Sequence, residues 1–338
     1  VSSEANPVYK VLRSLWFPMS VNAVAFGTAA VVIFRAVSLL AALVFGLPGH
    51  AWEADSLFDD ALYALLLGGL PALGDLGRLE GYLPVFAVQC ATAYLLWAVF
   101  GVAMARTLAV RIARDEYAPL SAAWKFALST KNTALLHLPC MALPVAFCGG
   151  VLAVAGLLGA IPYLGWILNA VLLPVSVFFA VVMQLVWFVG LLALGFTPAA
   201  VASERRGTYD AVVKVFHYVF ARPLPTLLYL GVLAAFFWVA ERAIFAPDRI
   251  RDAMAATLGF LPRAFGGGET FELIVRGDVD RTEGFARLCA WLHLLVLGGV
   301  DAIVRGAFLS WAAGGFTALF LMFRQECDGT EMSDVVKD

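Results

Sequence analysis

From Asn132 through Ser203 the chain carries no Asp, Glu, Lys or Arg, a run of 72 residues. No other feature limits the fold as sharply. One membrane-crossing helix needs about 20 apolar residues, so the run holds two, joined by the turn Gly159-Ala160-Ile161-Pro162. A soluble domain would carry roughly a quarter charged residues. This chain of 338 residues has 14% charged and 62% hydrophobic. Lipid is therefore the solvent for most of its surface, and the sequence predicts an integral, polytopic membrane protein of the all-α class.

The apolar runs predict six transmembrane helices, at about 21–46, 84–106, 133–158, 164–195, 224–241 and 306–323. The run beginning at Val21 is too long for the apolar core of a signal peptide and is read as a span. Pro139, Pro144, Gly149, Gly150 and Pro174 fall inside spans, where neighbouring helices can satisfy freed backbone groups. Pro174 is expected to kink the fourth. Residues 61–70 form too short a run to cross. Residues 288–300 leave two alternatives open, an extension of the sixth span or a separate interfacial helix.

Three stretches ahead of long apolar runs share one stripe: Val8, Val11, Leu12, Leu15, Trp16; Leu120, Ala123, Trp124, Ala127, Leu128; and Tyr209, Val212, Val213, Phe216, with Phe220 a turn later. Apolar groups at i, i+3, i+4 and i+7 form one face of a helix. Arg13, Lys125 and Lys214 stand at the same place in each stripe. Pro7, Pro119 and Thr208 stand just ahead, as residues that start helices do. These are read as amphipathic interfacial helices whose basic residues reach anionic headgroups.

A shift of 89 residues superimposes Ala113 on Ala202, Ala122 on Ala211, Lys125 on Lys214 and Leu135 on Leu224. The expected architecture is one transmembrane domain, 1–338, of three parallel repeats, each an interfacial helix plus a transmembrane hairpin. The units cover about 7–110, 119–200 and 208–325, with outer loops about 48–83 and 242–287 and a tail at 324–338. In the tail, Glu326-Cys-Asp-Gly329-Thr330 echoes Glu204-Arg-Arg-Gly207-Thr208, and Asp334-Val335-Val336 echoes Asp210-Ala211-Val212. It reads as the opening of a fourth unit.

Basic residues set the orientation. Lys10, Arg13, Arg106, Arg111, Arg114, Lys125, Lys131, Arg205, Arg206, Lys214, Arg222, Arg324 and Lys337 fall on one side. The first loop opposite has only Arg78 against six acidic residues. The positive-inside rule then puts both termini in the cytoplasm.

The segment Pro198-Ala-Ala-Val-Ala-Ser-Glu204-Arg-Arg-Gly207-Thr-Tyr-Asp210-Ala211-Val212, followed by Ala221-Arg222-Pro223, resembles the cytoplasmic loop of uncharacterised bacterial six-span membrane proteins. It is similar too to the membrane domain of some glycerophosphoryl diester phosphodiesterases. The resemblance covers about 25 residues and, loosely, the six-span plan. It implies a fold and a bacterial inner-membrane location. The chain has no soluble phosphodiesterase domain, so no catalytic residues carry over.

Ionisable groups at membrane depth are the candidates for function. Arg35 lies about 21 Å into the first span at about 1.5 Å per residue. Asp301 and Arg305 are i, i+4 neighbours at the outer approach to the last span, and Glu241 ends the fifth on that side. These four residues are expected to form an intramembrane ionic cluster, either a buried pairing that serves packing or a contact lining a cavity. Gln89, Gln184 and His137 could line a path, although single polar residues in spans more often bond between helices.

The four histidines and five cysteines have no metal-type spacing. HExxH, GxSxG and Walker-A patterns are absent. Asp278 to Cys289 departs from a calcium loop, its Gly284 being one place late and position twelve a Cys. Residues 270–276 could form a short strand in the outer segment 247–287. No cofactor and no metal are expected, and the net charge of −2 argues against nucleic acid as a partner. The expected partners are the lipid bilayer and proteins of a membrane complex. The expected function is that of a non-enzymatic scaffold or accessory subunit. The alternative is a transporter or channel for a small solute, ion or lipid, with the Arg/Asp cluster in its path.

Overall fold

The computed structural model describes residues 20–45, 83–161, 164–204, 207–240, 284–331 and 335. Among them there is no strand. Helix α1 is Val21–Val44. Helix α2, Leu83–Leu96, passes through a π-helical stretch, Trp97–Gly101, into α3, Val102–Arg114. Then come α4 (Leu120–Leu135), α5 (His137–Gly159), α6 (Leu164–Glu204), α7 (Thr208–Ala221), α8 (Pro223–Ala240) and α9 (Gly284–Asp328). Five stretches are long and apolar enough to cross a bilayer: Val21–Ala41, Ala87–Arg114, Leu120–Gly159, Ala170–Gly190 and Gly298–Asp328. The bent pair α7 and α8 makes a sixth if counted as one span. The class is all-α, and the helices suit a multi-pass membrane protein. Glu241, Arg13, the first stripe, residues 61–70 and the segment 247–283 lie outside the described residues.

Helix ends follow local chemistry. Asp115, at φ 56°, stops α3 in the left-handed region, its N–H donating to the Arg111 carbonyl at 2.9 Å. Gly329, at φ 68°, does the same after α9, where glycine adopts that conformation without steric cost. Pro119 precedes α4, its carbonyl accepting from the N–H groups of Ala122 and Ala123 at 3.1 Å. Pro223 opens α8 at the first helical position, where a missing N–H costs nothing.

The two junctions expected as elbows differ. Between α4 and α5 only Leu136 intervenes. Its N–H donates to the Asn132 carbonyl and its carbonyl accepts from Cys140, both at 3.0 Å. The hydrogen-bond ladder therefore runs on through a 40-residue stretch. Between α7 and α8, Arg222 leaves the helical region (φ −142°, ψ 70°), and the helices meet at 105°. Pro223 accounts for this, since the residue before a proline is pushed out of the helical region. Residues 288–300 belong to the same helix as the last candidate span: α9 is one helix of 45 residues.

The stripes also turn out differently from a simple core face. In α7 the buried residues are Ala211, Val212, Val215 and Tyr218, whereas Tyr209, Val213 and Phe220 are exposed. In α4 the buried set is Ala123, Phe126, Ala127, Thr130 and Ala134. The apolar residues of both stripes are thus divided between the protein interior and an exposed face.

Helices α3, α6 and α9 form the centre, each packing against the other two; α3 contributes residues between Val102 and Val110, and α6 and α9 contribute their C-terminal parts. Van der Waals packing has to hold such a centre, because lipid is as apolar as the side chains. Phe196 of α6 meets the ring of Phe316 at 5.3 Å, edge to face. Gly195 lets that ring in, since a Cβ there would lie 2.7 Å from it. Where these three helices end we call the base. Away from the base, α5 and α6 run out as a hairpin, and α6 has no buried residue from Ala170 to Phe188.

Candidate functional site

Two groups of charges stand at opposite ends of the core. The first lies between α1 and α9, which run antiparallel. They approach so closely at Gly27 and Gly306 that a Cβ on Gly27 would lie 2.2 Å from the Gly306 carbonyl oxygen. Only glycines allow that separation. Further from the base, the Arg35 guanidinium donates to the Asp301 carboxylate and, at 3.2 Å, to the Gly298 carbonyl. Arg305, one turn along α9, donates from Nε to the same Asp301 oxygen at 3.1 Å. The side chains of Arg35, Asp301 and Arg305 are 25%, 17% and 17% exposed. Of the four residues named from sequence, these three are in contact and Glu241 lies outside the described residues.

The second group gathers at the base. The Lys214 ammonium sits 2.7 Å from Glu204 Oε1 and 2.8 Å from Asp328 Oδ2. Tyr218 donates its hydroxyl to the same Asp328 oxygen at 2.7 Å. Arg324 Nε lies 3.1 Å from Glu204 Oε1, a contact of charge without hydrogen-bond alignment. Arg222 pairs with Glu326 at 3.0 Å. Three helices (α6 at its stop, α7 at its middle and α9 in its last turn) are thus joined by ion pairs. Glu204 and Arg324 are the most enclosed, at 5% and 9% exposed. The sequence reading missed this network. Its one trace is the echo of Glu204 to Thr208 in Glu326 to Thr330.

Lys214 and Lys125 occupy the same stripe position with different outcomes. Lys125 is exposed. Lys214 is held by two carboxylates, so its charge is compensated within the protein. Arg106, counted among the basic residues of one side, is 2% exposed and inside the bundle. Its guanidinium donates to the Ala202 carbonyl at 3.0 Å and lies 4.7 Å over the Phe126 ring, a cation–π geometry.

The polar residues expected between helices also part company. His137 is 1% exposed between α5 and α6. Its Nε2 lies 3.4 Å from the Gly190 carbonyl and its Nδ1 lies 2.8 Å from Thr197 Oγ1. The Thr197 hydroxyl also donates to the Ala193 carbonyl of its own helix at 2.7 Å, so the contact ties the imidazole to α6. Gln89 is buried, whereas Gln184 is exposed. Among the described residues no three His, Cys, Asp or Glu side chains gather as metal ligands.

In both clusters a carboxylate oxygen faces one or more cations, and at the base Asp328 Oδ2 also accepts from the Tyr218 hydroxyl. That chemistry fastens helices together and can hold a charged group at membrane depth. No protein-family model matches the chain, and no curated protein or solved structure matches it. These comparisons do not bear on the likeness of residues 198–223 to the phosphodiesterase membrane domain.

Proposed function

We propose that the protein is a non-enzymatic scaffold or accessory subunit of a bacterial inner-membrane complex. In this reading the chain is three successive two-helix units, α3, α6 and α9 closing them, with the base toward the cytoplasm. Arg111, Arg114, Lys125, Lys131 and Arg222 gather there, in line with the positive-inside rule. Of the two stripe lysines, Lys125 remains for anionic headgroups and Lys214 does not.

The observation that carries the proposal is the outward stripe of α6. Leu173, Val177, Val181 and Phe188 are 57%, 53%, 61% and 49% exposed, and Gln184 stands exposed among them. A side-chain amide facing hydrocarbon loses hydrogen bonds unless another helix supplies them, and such interhelical bonds contribute about 0.6–2 kcal/mol. A partner's transmembrane helix along this stripe would satisfy Gln184 and cover Phe188 together.

A photoreactive side chain at Val181 tests the proposal in mild detergent and in native membranes. One discrete protein adduct is expected, weakened by Gln184→Leu with the thermal midpoint unchanged. A solitary particle of 36.3 kDa yielding only lipid adducts would count decisively against it.

A transporter or channel is the second reading, favoured by the partial exposure of Arg35, Asp301 and Arg305. It requires solute flux in proteoliposomes that Arg35→Ala abolishes in a folded protein. Absent or unchanged flux ends it.

A further inference from the structure

At the base, each core helix passes the chain on in the same way. Helix α3 leads into α4, which packs against α3 and against the next core helix, α6. Helix α6 leads into α7, which packs against α6 and the next core helix, α9. Helix α9 leads into the tail, and the tail reaches α3. Val335 is 1% exposed and belongs to the same apolar cluster as the core helices. Arg114, in the last turn of α3, donates to the Val335 carbonyl.

The tail's point of departure is fixed as well. Gly329, at φ 68°, turns the chain off the helix. Just before it, Asp328 is held by Lys214 and Tyr218, and Glu326 by Arg222. An anchored segment so short docks at high effective concentration, so one buried valine and one gripped carbonyl suffice to hold it.

We propose that the base ends of α9 and α3 form a binding surface whose resident ligand is the chain's own C-terminal tail. The tail closes the ring in which α4 and α7 make the other two wedges. What the surface recognises is a short segment with one branched apolar side chain and a backbone carbonyl within reach of Arg114. The tail is therefore an intramolecular plug, held by Val335 and released by its loss. This inference does not depend on the scaffold reading, because it rests on contacts within one chain.

Hydrogen exchange of the full-length protein in nanodiscs, followed over residues 329–338, tests it. The tail amides are expected to be protected. They should exchange roughly ten- to hundredfold faster in Val335→Asp, the ratio implied by losing one buried valine, while α3, α6 and α9 stay protected. Arg114→Gln should give a smaller acceleration in the same peptide. Tail amides that exchange at free-peptide rates in the wild type, or a Val335→Asp profile identical to it, would overturn the proposal.

Discussion

The base network and the Arg35–Asp301–Arg305 group use the same chemistry in different packing. At the base, Glu204 and Arg324 are enclosed by helix ends that converge from three directions. Between α1 and α9 the charges are more exposed, and the two helices are brought together by the Gly27–Gly306 contact. A carboxylate in the first setting cannot lose its partners without leaving a buried charge, whereas one in the second keeps some access to its surroundings. The difference assigns the base to fastening and the upper group to a looser junction above a close backbone contact.

The largest effect is expected where backbone meets backbone. Gly306→Leu would drive a Cβ to 2.3 Å from the Thr28 nitrogen and should cost about 3 kcal/mol or more, read as a lowered midpoint by tryptophan fluorescence in detergent. An unchanged midpoint would mean that the two helices are not this close. Glu204→Ala removes the shared partner of Lys214 and Arg324 and should cost about 3 kcal/mol, with little dependence on salt. If added salt erases the difference from wild type, the network is a solvated surface feature.

Asp301→Asn should cost about 2 kcal/mol, as for a hydrogen bond to a charged group, and less than Glu204→Ala under the same conditions. The reverse ranking would invert the comparison. The smallest effect separates the two stripe lysines. Lys125→Gln should remove about 1 kcal/mol of stabilisation by anionic over zwitterionic lipid. The same change at Lys214 should lower the midpoint equally in both lipids, and a lipid-dependent loss at Lys214 would return it to the headgroups.

Much of the fold was legible because lipid imposes a simple rule. A charge-free run of 72 residues could only be buried in hydrocarbon, and it forms α5 and most of α6. Depth counting put Arg35 near the level of Asp301, and their side chains are in contact. The stripes were harder to read, since hydrocarbon and protein interior both select Tyr209, Val212 and Val213 as apolar and the sequence does not say which neighbour each meets. The elbow at Arg222 has a local cause in Pro223, whereas Leu136 carries no such instruction and α4 runs on into α5. The base network was out of reach for another reason. Lys214 and Asp328 are 114 residues apart, and nothing local distinguishes a lysine that reaches lipid from one that closes a network.

The contact between α1 and α9 has a consequence for the order of synthesis. Arg35 and Asp301 are separated by 266 residues. At about 5–20 residues per second of translation, roughly 13 to 53 s pass before the aspartate is made. Through that interval α1 is already in the membrane with an arginine in it and no Asp301 to meet it. Whatever shelters Arg35 during that time, whether translocon, headgroups or a neighbouring chain, acts earlier than the native fold does.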